Sequence, residues 1–138
     1  MNHKKIEQVS EELCEKYMVK TPDSTYTIDT LSGGNMQKVV VAREFSASPR
    51  LLIASQPTRG VDIGSTQYIR TKIAELRDEG KGILLISAEL EEIMAMSNRI
   101  VVIYEGEIAA QFRRGEADEY EIGEYMLGSK HQEVAYGK

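Results

Sequence analysis

Ile6, Val9, Leu13 and Tyr17 fall at i, i+3, i+7 and i+11, which lines up one apolar stripe and predicts a helix over residues 4–18 that needs a partner to pack on. Residues 19–30 lose that period, and Pro22, Asp23, Ser24 and the threonines around them mark a connector. A second helix is expected over residues 34–47, ended by Pro49. Leu51, Leu52, Ile53 and Ala54 then form a continuous apolar run, of the kind found in strands buried on both faces of a parallel sheet. Ser65 is placed to cap a third helix with apolar positions Ile69, Ile73 and Leu76, and Gly80 or Gly82 would stop it. Residues 83–86 repeat the buried-strand pattern. Strand, helix and strand within about 35 residues make one βαβ unit with a right-handed crossover, so the fold class is α/β. A short helix bearing Leu90, Ile93 and Met94 follows. Residues 100–104 and 107–112 flank Glu105-Gly106, a two-residue hairpin turn. Asp118 with Glu121 resembles a capping box for a last helix whose apolar face is Ile122, Tyr125 and Met126, and residues from Ser129 onward read as a frayed tail.

Composition narrows the classes. A net charge of -5, with no Lys/Arg cluster, argues against a nucleic-acid surface or an anionic membrane as the main partner. The longest apolar runs, such as residues 100–104, fall far short of the roughly 20 residues that span a bilayer. The opening residues Met1, Asn2, His3, Lys4 and Lys5 lead into a polar helix and not an apolar signal segment, which favours a cytosolic location. The single cysteine, Cys14, excludes an internal disulfide and is expected to be a buried small hydrophobe. His3 and His131 are too far apart in sequence to suggest a metal cluster.

Chemistry concentrates in two places. Ser32, Gly33 and Gly34 form a turn opening into an amphipathic helix, where unpaired N–H groups and the positive end of the macrodipole favour an anion and glycine lets a phosphate approach. The plainer reading is that Ser32 caps a helix and the glycines turn the chain. In an open parallel sheet ligands bind beyond the carboxyl ends of strands, which directs attention to residues 55–62 and 87–89.

Taken in order, these stretches resemble the motifs of ATP-binding cassette ATPases. Residues 31–38, Leu-Ser-Gly-Gly-Asn-Met-Gln-Lys, look like the family's signature; residues 51–56 occupy the place of its Walker B strand. Gly60, Val61 and Asp62 resemble its D-loop, and residues 84–89 its switch strand and loop. The wording is closest to the second cassette of importers for simple sugars and nucleosides, where two cassettes are fused. The resemblance implies a P-loop NTPase-like core without its phosphate-loop part (residues 48–128), a partial helical signature subdomain (1–47) and a tail (129–138). It further implies that Leu31, Ser32, Gly33, Gly34, Asn35 and Gln37 contact ATP with Mg²⁺ held first by a partner cassette. Transmembrane permease subunits would be further partners, placing the protein peripherally on the cytoplasmic face of the plasma membrane.

The sequence departs from the family pattern in one half of the machinery. Ser55 and Gln56 stand where active cassettes carry a magnesium-binding Asp and a catalytic Glu, and Ala88 stands where a switch histidine is expected. A hydroxyl is a poor partner for a hard dication, and an amide accepts no proton. No Gly-rich phosphate loop ending in Gly-Lys-Ser/Thr and no Gln-containing loop occurs; both would lie upstream of Met1, so the chain is expected to be the C-terminal part of a cassette. The alternatives are an inactive fragment or a non-transport ATPase of the same family. Lys38 and Arg43 are expected on the exposed face of the signature helix, Arg59 in solvent, and Met94 and Met96 as core filling. The acidic run 116–124 reads as a solvated face with Tyr120 and Tyr125 packing beneath it.

Overall fold

A computed structural model describes residues 2–132; the last six residues of the expected tail, and Met1, lie outside them. The chain divides into two compact units, Met1–Leu84 and Leu85–Lys138.

In the first unit, α1 (His3–Lys16) is capped by the Asn2 side chain, which accepts from the Lys5 N–H. Its stripe is covered only at the C-terminal end: Tyr17 is buried, whereas Ile6 and Val9 are exposed, and α1 itself holds no buried residue. The connector contains one 3₁₀ turn, Ile28–Thr30. α2 (Gly33–Ser46) begins one residue before the predicted start because Ser32 is its cap, and it turns Gly34, Val41, Ala42 and Phe45 inward. β1 (Leu51–Ser55) leads through a loop to α3 (Ile63–Asp78). The cap of α3 is Asp62, three residues before the predicted Ser65, because the carboxylate accepts the orphan Ser65 N–H. Ile69, Ile73 and Leu76 are buried as their spacing predicts. Of the two candidate stops Gly80 serves, with φ of 82°, while Gly82 opens β2 (Gly82–Ile86).

The Gly82 N–H donates to the Arg50 carbonyl at 3.0 Å, so β1 and β2 start side by side, as a parallel pair requires. The prediction that both faces of these strands are buried does not hold. Leu52 is 8% exposed, but Leu51 is 58%, Ile53 61% and Leu84 50% exposed. The apolar run predicts a strand between two layers, and among the described residues one of those faces is left uncovered.

The second unit has its own core. After α4 (Leu90–Met96), β3 (Arg99–Tyr104) and β4 (Glu107–Arg113) form an antiparallel hairpin separate from the β1–β2 pair. Glu105 and Gly106, both with positive φ (49° and 84°), make the two-residue turn. A register shift between Val102 and Ile103 inserts an extra residue in β4, so that the consecutive residues Ala109 and Ala110 are both fully buried. α5 (Glu119–Met126) is capped by Asp118, which accepts from Glu121 N–H at 2.8 Å. It buries Ile122 and Tyr125, the latter packed edge-on against Phe112. Met126, expected on that face, is exposed, and so is Tyr120, 78% exposed on the solvent side of α5. Leu90, Ile93 and Met94 pack against this core. Glu92 on the same helix is fully buried, which its acidic neighbours did not announce. Beyond α5, Gln132 donates its N–H to the Ala109 carbonyl at 2.8 Å and accepts from Gln111 N–H, tying the start of the tail to β4.

Candidate functional site

The signature-like turn is held in an extended conformation through Leu31 and Ser32 before α2 begins. Ser32 Oγ accepts from the backbone N–H of Asn35 at 3.4 Å and from Asn35 Nδ2 at 3.1 Å. Asn35 Oδ1 accepts from the Lys20 N–H at 2.9 Å. One amide side chain therefore fastens the turn to the end of the α1 segment. Helix geometry leaves the N–H groups of Gly33 and Gly34 without intrahelical acceptors, and Ser32 and Gly33 are exposed.

The loop between β1 and α3 lies directly against this turn. A Cβ on Gly33 would come within 3.3 Å of the Gly60 carbonyl oxygen, and one on Gly34 would overlap Ser65 Oγ. At Gly34 only glycine permits that approach. Gln37 donates from Nε2 to the Pro57 carbonyl at 2.9 Å, joining the first turns of α2 to the same loop. Within the loop, Gln56 adopts a left-handed φ of 49° and its carbonyl accepts from the Arg59 N–H at 3.2 Å; Val61 N–H donates to the Thr58 carbonyl.

Asp62 closes the loop. It accepts from the Ser65 N–H at 2.9 Å and from the Ser65 hydroxyl at 2.8 Å. The backbone N–H first, and then the hydroxyl, hold its carboxyl below the usual aspartate value. Ser65 is the residue that sequence reasoning misassigned, although Asp62, standing directly before the apolar Ile63, is itself a capping candidate. Pro57 and Lys20 take part through backbone groups, which no side-chain pattern could announce.

Ser32, Gly33, Gly34, Gln37, Gly60 and Asp62 are thus brought together, with Asn35 supporting Ser32 from behind. Ser55 is exposed at the end of β1, and Gln56 is half-buried beside it. Ala88 belongs to the second unit, in the turn before α4, where the following Glu89 N–H donates to Ser87 Oγ. Among the described residues no group of three or more His, Cys, Asp or Glu could hold a metal ion.

Several neighbouring residues differ from expectation. Lys38 is half-buried: its ammonium donates to the Met18 carbonyl at 3.3 Å and sits 5.4 Å from the centre of the Tyr68 ring. Burial raises the Tyr68 hydroxyl above its ordinary value. Arg43 and Arg59 are exposed as predicted, Arg43 pairing with Glu44. Cys14 is half-buried, on the wall of a cleft of about 380 Å³ between α1, the connector and α2.

No protein-family model matches the chain. The chain is 48% identical over 122 residues to the guanosine import ATP-binding protein NupO of Bacillus subtilis, a match covering 88% of this chain and 24% of that protein. It is 41% identical over 133 residues to the nucleoside import ATP-binding protein NupA of Lactococcus lactis, covering 96% of this chain and 26% of that protein. The chain thus spans about a quarter of the length of these relatives. Among solved structures, an ATP-binding subunit of an ABC transporter superimposes with a TM-score of 0.72 at 20% identity, covering 92% of this chain and 56% of the other. A dimeric bacterial ABC transporter cassette gives 0.69 at 20% identity, covering 82% and 49%. With the cradle of glycines, the capped Asp62 and these matches together, the chain belongs to the ATP-binding cassette ATPases of ABC transporters and corresponds to a C-terminal portion of one cassette.

Proposed function

We propose that this chain supplies the signature and D-loop half of a composite ATP site in an importer of simple sugars or nucleosides, and that its own hydrolytic site is degenerate. The carrying observation is the contrast between two ends of one loop. At one end Leu31, Ser32, Gly33 and Gly34, with Asn35 and Gln37, form a glycine-lined turn pressed against Gly60, Val61 and Asp62, which suits a phosphate. At the other end Ser55 and Gln56 offer a hydroxyl and an amide, which do not suit Mg²⁺. Loss of a general base lowers a rate by about 10² to 10⁴, so in this reading turnover belongs to the nucleotide held by a partner cassette.

The reading carries the rest of the family arrangement with it: a helical signature subdomain over residues 1–47, half of the ATPase core over 48–128, a tail over 129–138, and a partner cassette fused in the same polypeptide. Permease subunits would hold the assembly at the cytoplasmic face of the membrane. Among the described residues no helix is long and apolar enough to cross a membrane, which fits a peripheral role. ATP with Mg²⁺, when bound, would supply the phosphoryl group for transfer to water; Ser32, Gly33 and Gly34 would hold its phosphates.

The test is ATP turnover of the assembled two-cassette protein carrying Ser32→Arg, which places a long side chain in the turn. Turnover should fall to background, and unchanged turnover would refute the trans role. Gln56→Glu is the converse variant: a large rise in activity from that change alone would show that the cis site is competent.

A further inference from the structure

We propose that Gln37 is a positioning residue: its side-chain amide ties the signature helix to the Pro57 carbonyl, so that the signature turn and the D-loop behave as one block. This rests on the composite-site reading above, and it assigns Gln37 to support in place of nucleotide contact. The amide donor of Gln37 is engaged at 2.9 Å in a half-buried position, across twenty residues of sequence. Pro57 lies one residue after the left-handed Gln56 and within the turn closed by Arg59 N–H on the Gln56 carbonyl. Proline fixes its own φ, which narrows the conformations open to the loop at this acceptor.

On the far side of the loop, Gly34 approaches the Asp62–Ser65 pair so closely that no side chain fits between them, and Gly33 lies close against the Gly60 carbonyl. The loop is therefore held to α2 at both ends, by a hydrogen bond at Pro57 and by contact at Gly60 to Asp62. Asn35 performs the matching task on the opposite side, bridging the Lys20 N–H and the Ser32 hydroxyl. Displacement of the β1–α3 loop is then carried to the Ser32–Gly34 turn through Gln37.

Hydrogen exchange by NMR on the ¹⁵N-labelled chain tests the tether directly. The Gln37 side-chain amide should exchange about fivefold more slowly than that of Gln8, whose amide bonds Glu12 on the open surface of α1. Gln37→Met keeps the length and removes the donor. It should speed exchange of the Arg59 and Val61 amides by about fivefold while the Ile69 and Ile73 amides stay protected, and Gln37→Lys, which restores a donor, should reverse the effect. Unchanged exchange at Arg59 and Val61 in Gln37→Met overturns the proposal. If that variant loses protection throughout α3, Gln37→Glu, equal in size and lacking the donor, decides by the same two amides.

In the assembled transporter, Gln37→Met should lower kcat about ten- to a hundredfold with KM for ATP unchanged. A raised KM with undisturbed loop exchange would mean that Gln37 touches the nucleotide, and would refute positioning. A Ser32→Arg variant with normal turnover would remove the composite-site reading while leaving the exchange result standing.

Discussion

Gly34 and Asp62 stand so close that a Cβ on the glycine would lie 2.6 Å from Oδ2 of the aspartate. The neighbouring Ser65 Cβ, at 3.0 Å from the same point, cannot swing aside as the end of a long chain would. Gly34→Ala should therefore destabilise the first unit by about 1 to 3 kcal/mol, the usual effect of overpacking. Chemical denaturation measures this, and adding Ser65→Gly should recover part of the loss.

Asp62 also sets an acid limit. Its carboxyl lies below the model-compound value of 3.8 in the folded chain because Ser65 donates to the ionised form. Asp23, bonded to Thr25, is lowered in the same way. A depressed folded pKa gives stability that is present above the unfolded value and is lost as pH falls through the folded one. Thermal melting should thus drop below about pH 4, and Asp62→Asn, which retains a capping oxygen but not the ionised carboxylate, should flatten that drop by lowering the neutral-pH melt toward the acid one.

The uncovered face of the first sheet predicts association. Leu51, Ile53 and Leu84 are each half or more exposed, and an open two-stranded sheet offers unpaired edges to other strands. Leu51→Lys with Ile53→Thr should reduce light scattering of the isolated chain, with stability altered by no more than about 0.5 kcal/mol per site. Scattering that is unaffected would place the sticky surface elsewhere.

Gly128 ends α5 with φ of 72°, and a Cβ there would overlap the Tyr104 ring. Gly128→Ala meets both the left-handed penalty of about 1–2 kcal/mol and that collision. The adjoining Leu127 is 77% exposed, so Leu127→Ala should be nearly neutral in the same denaturation experiment.

Legibility followed the physics of each signal. The α3 stripe, the Glu105-Gly106 turn and the Asp118 cap are local patterns, and the structure has them where they were expected. What failed was inference about cover: Ile6, Val9, Leu51 and Ile53 are apolar, but burial depends on what stands opposite, and no residue pattern within one strand specifies that. The site divided similarly. The order of motifs identified the turn and the loop, while the Gln37–Pro57 and Lys20–Asn35 bonds use backbone partners fifteen and twenty residues away. The misplaced cap arose because Asp62 and Ser65 are both good capping residues, and the carboxylate, accepting twice, won.

Gln56 sits at a left-handed backbone position fixed by its own carbonyl bond to Arg59 N–H. Glutamine and glutamate have the same shape and the same β-carbon geometry, so this main-chain arrangement does not depend on which of them occupies it. Exchanging the amide for a carboxylate is then a change of charge at constant form. Any kinetic difference that it produces reports the charge, proton affinity and hydrogen-bonding character of the end group, which makes residue 56 a chemical dial set into a loop that is already built.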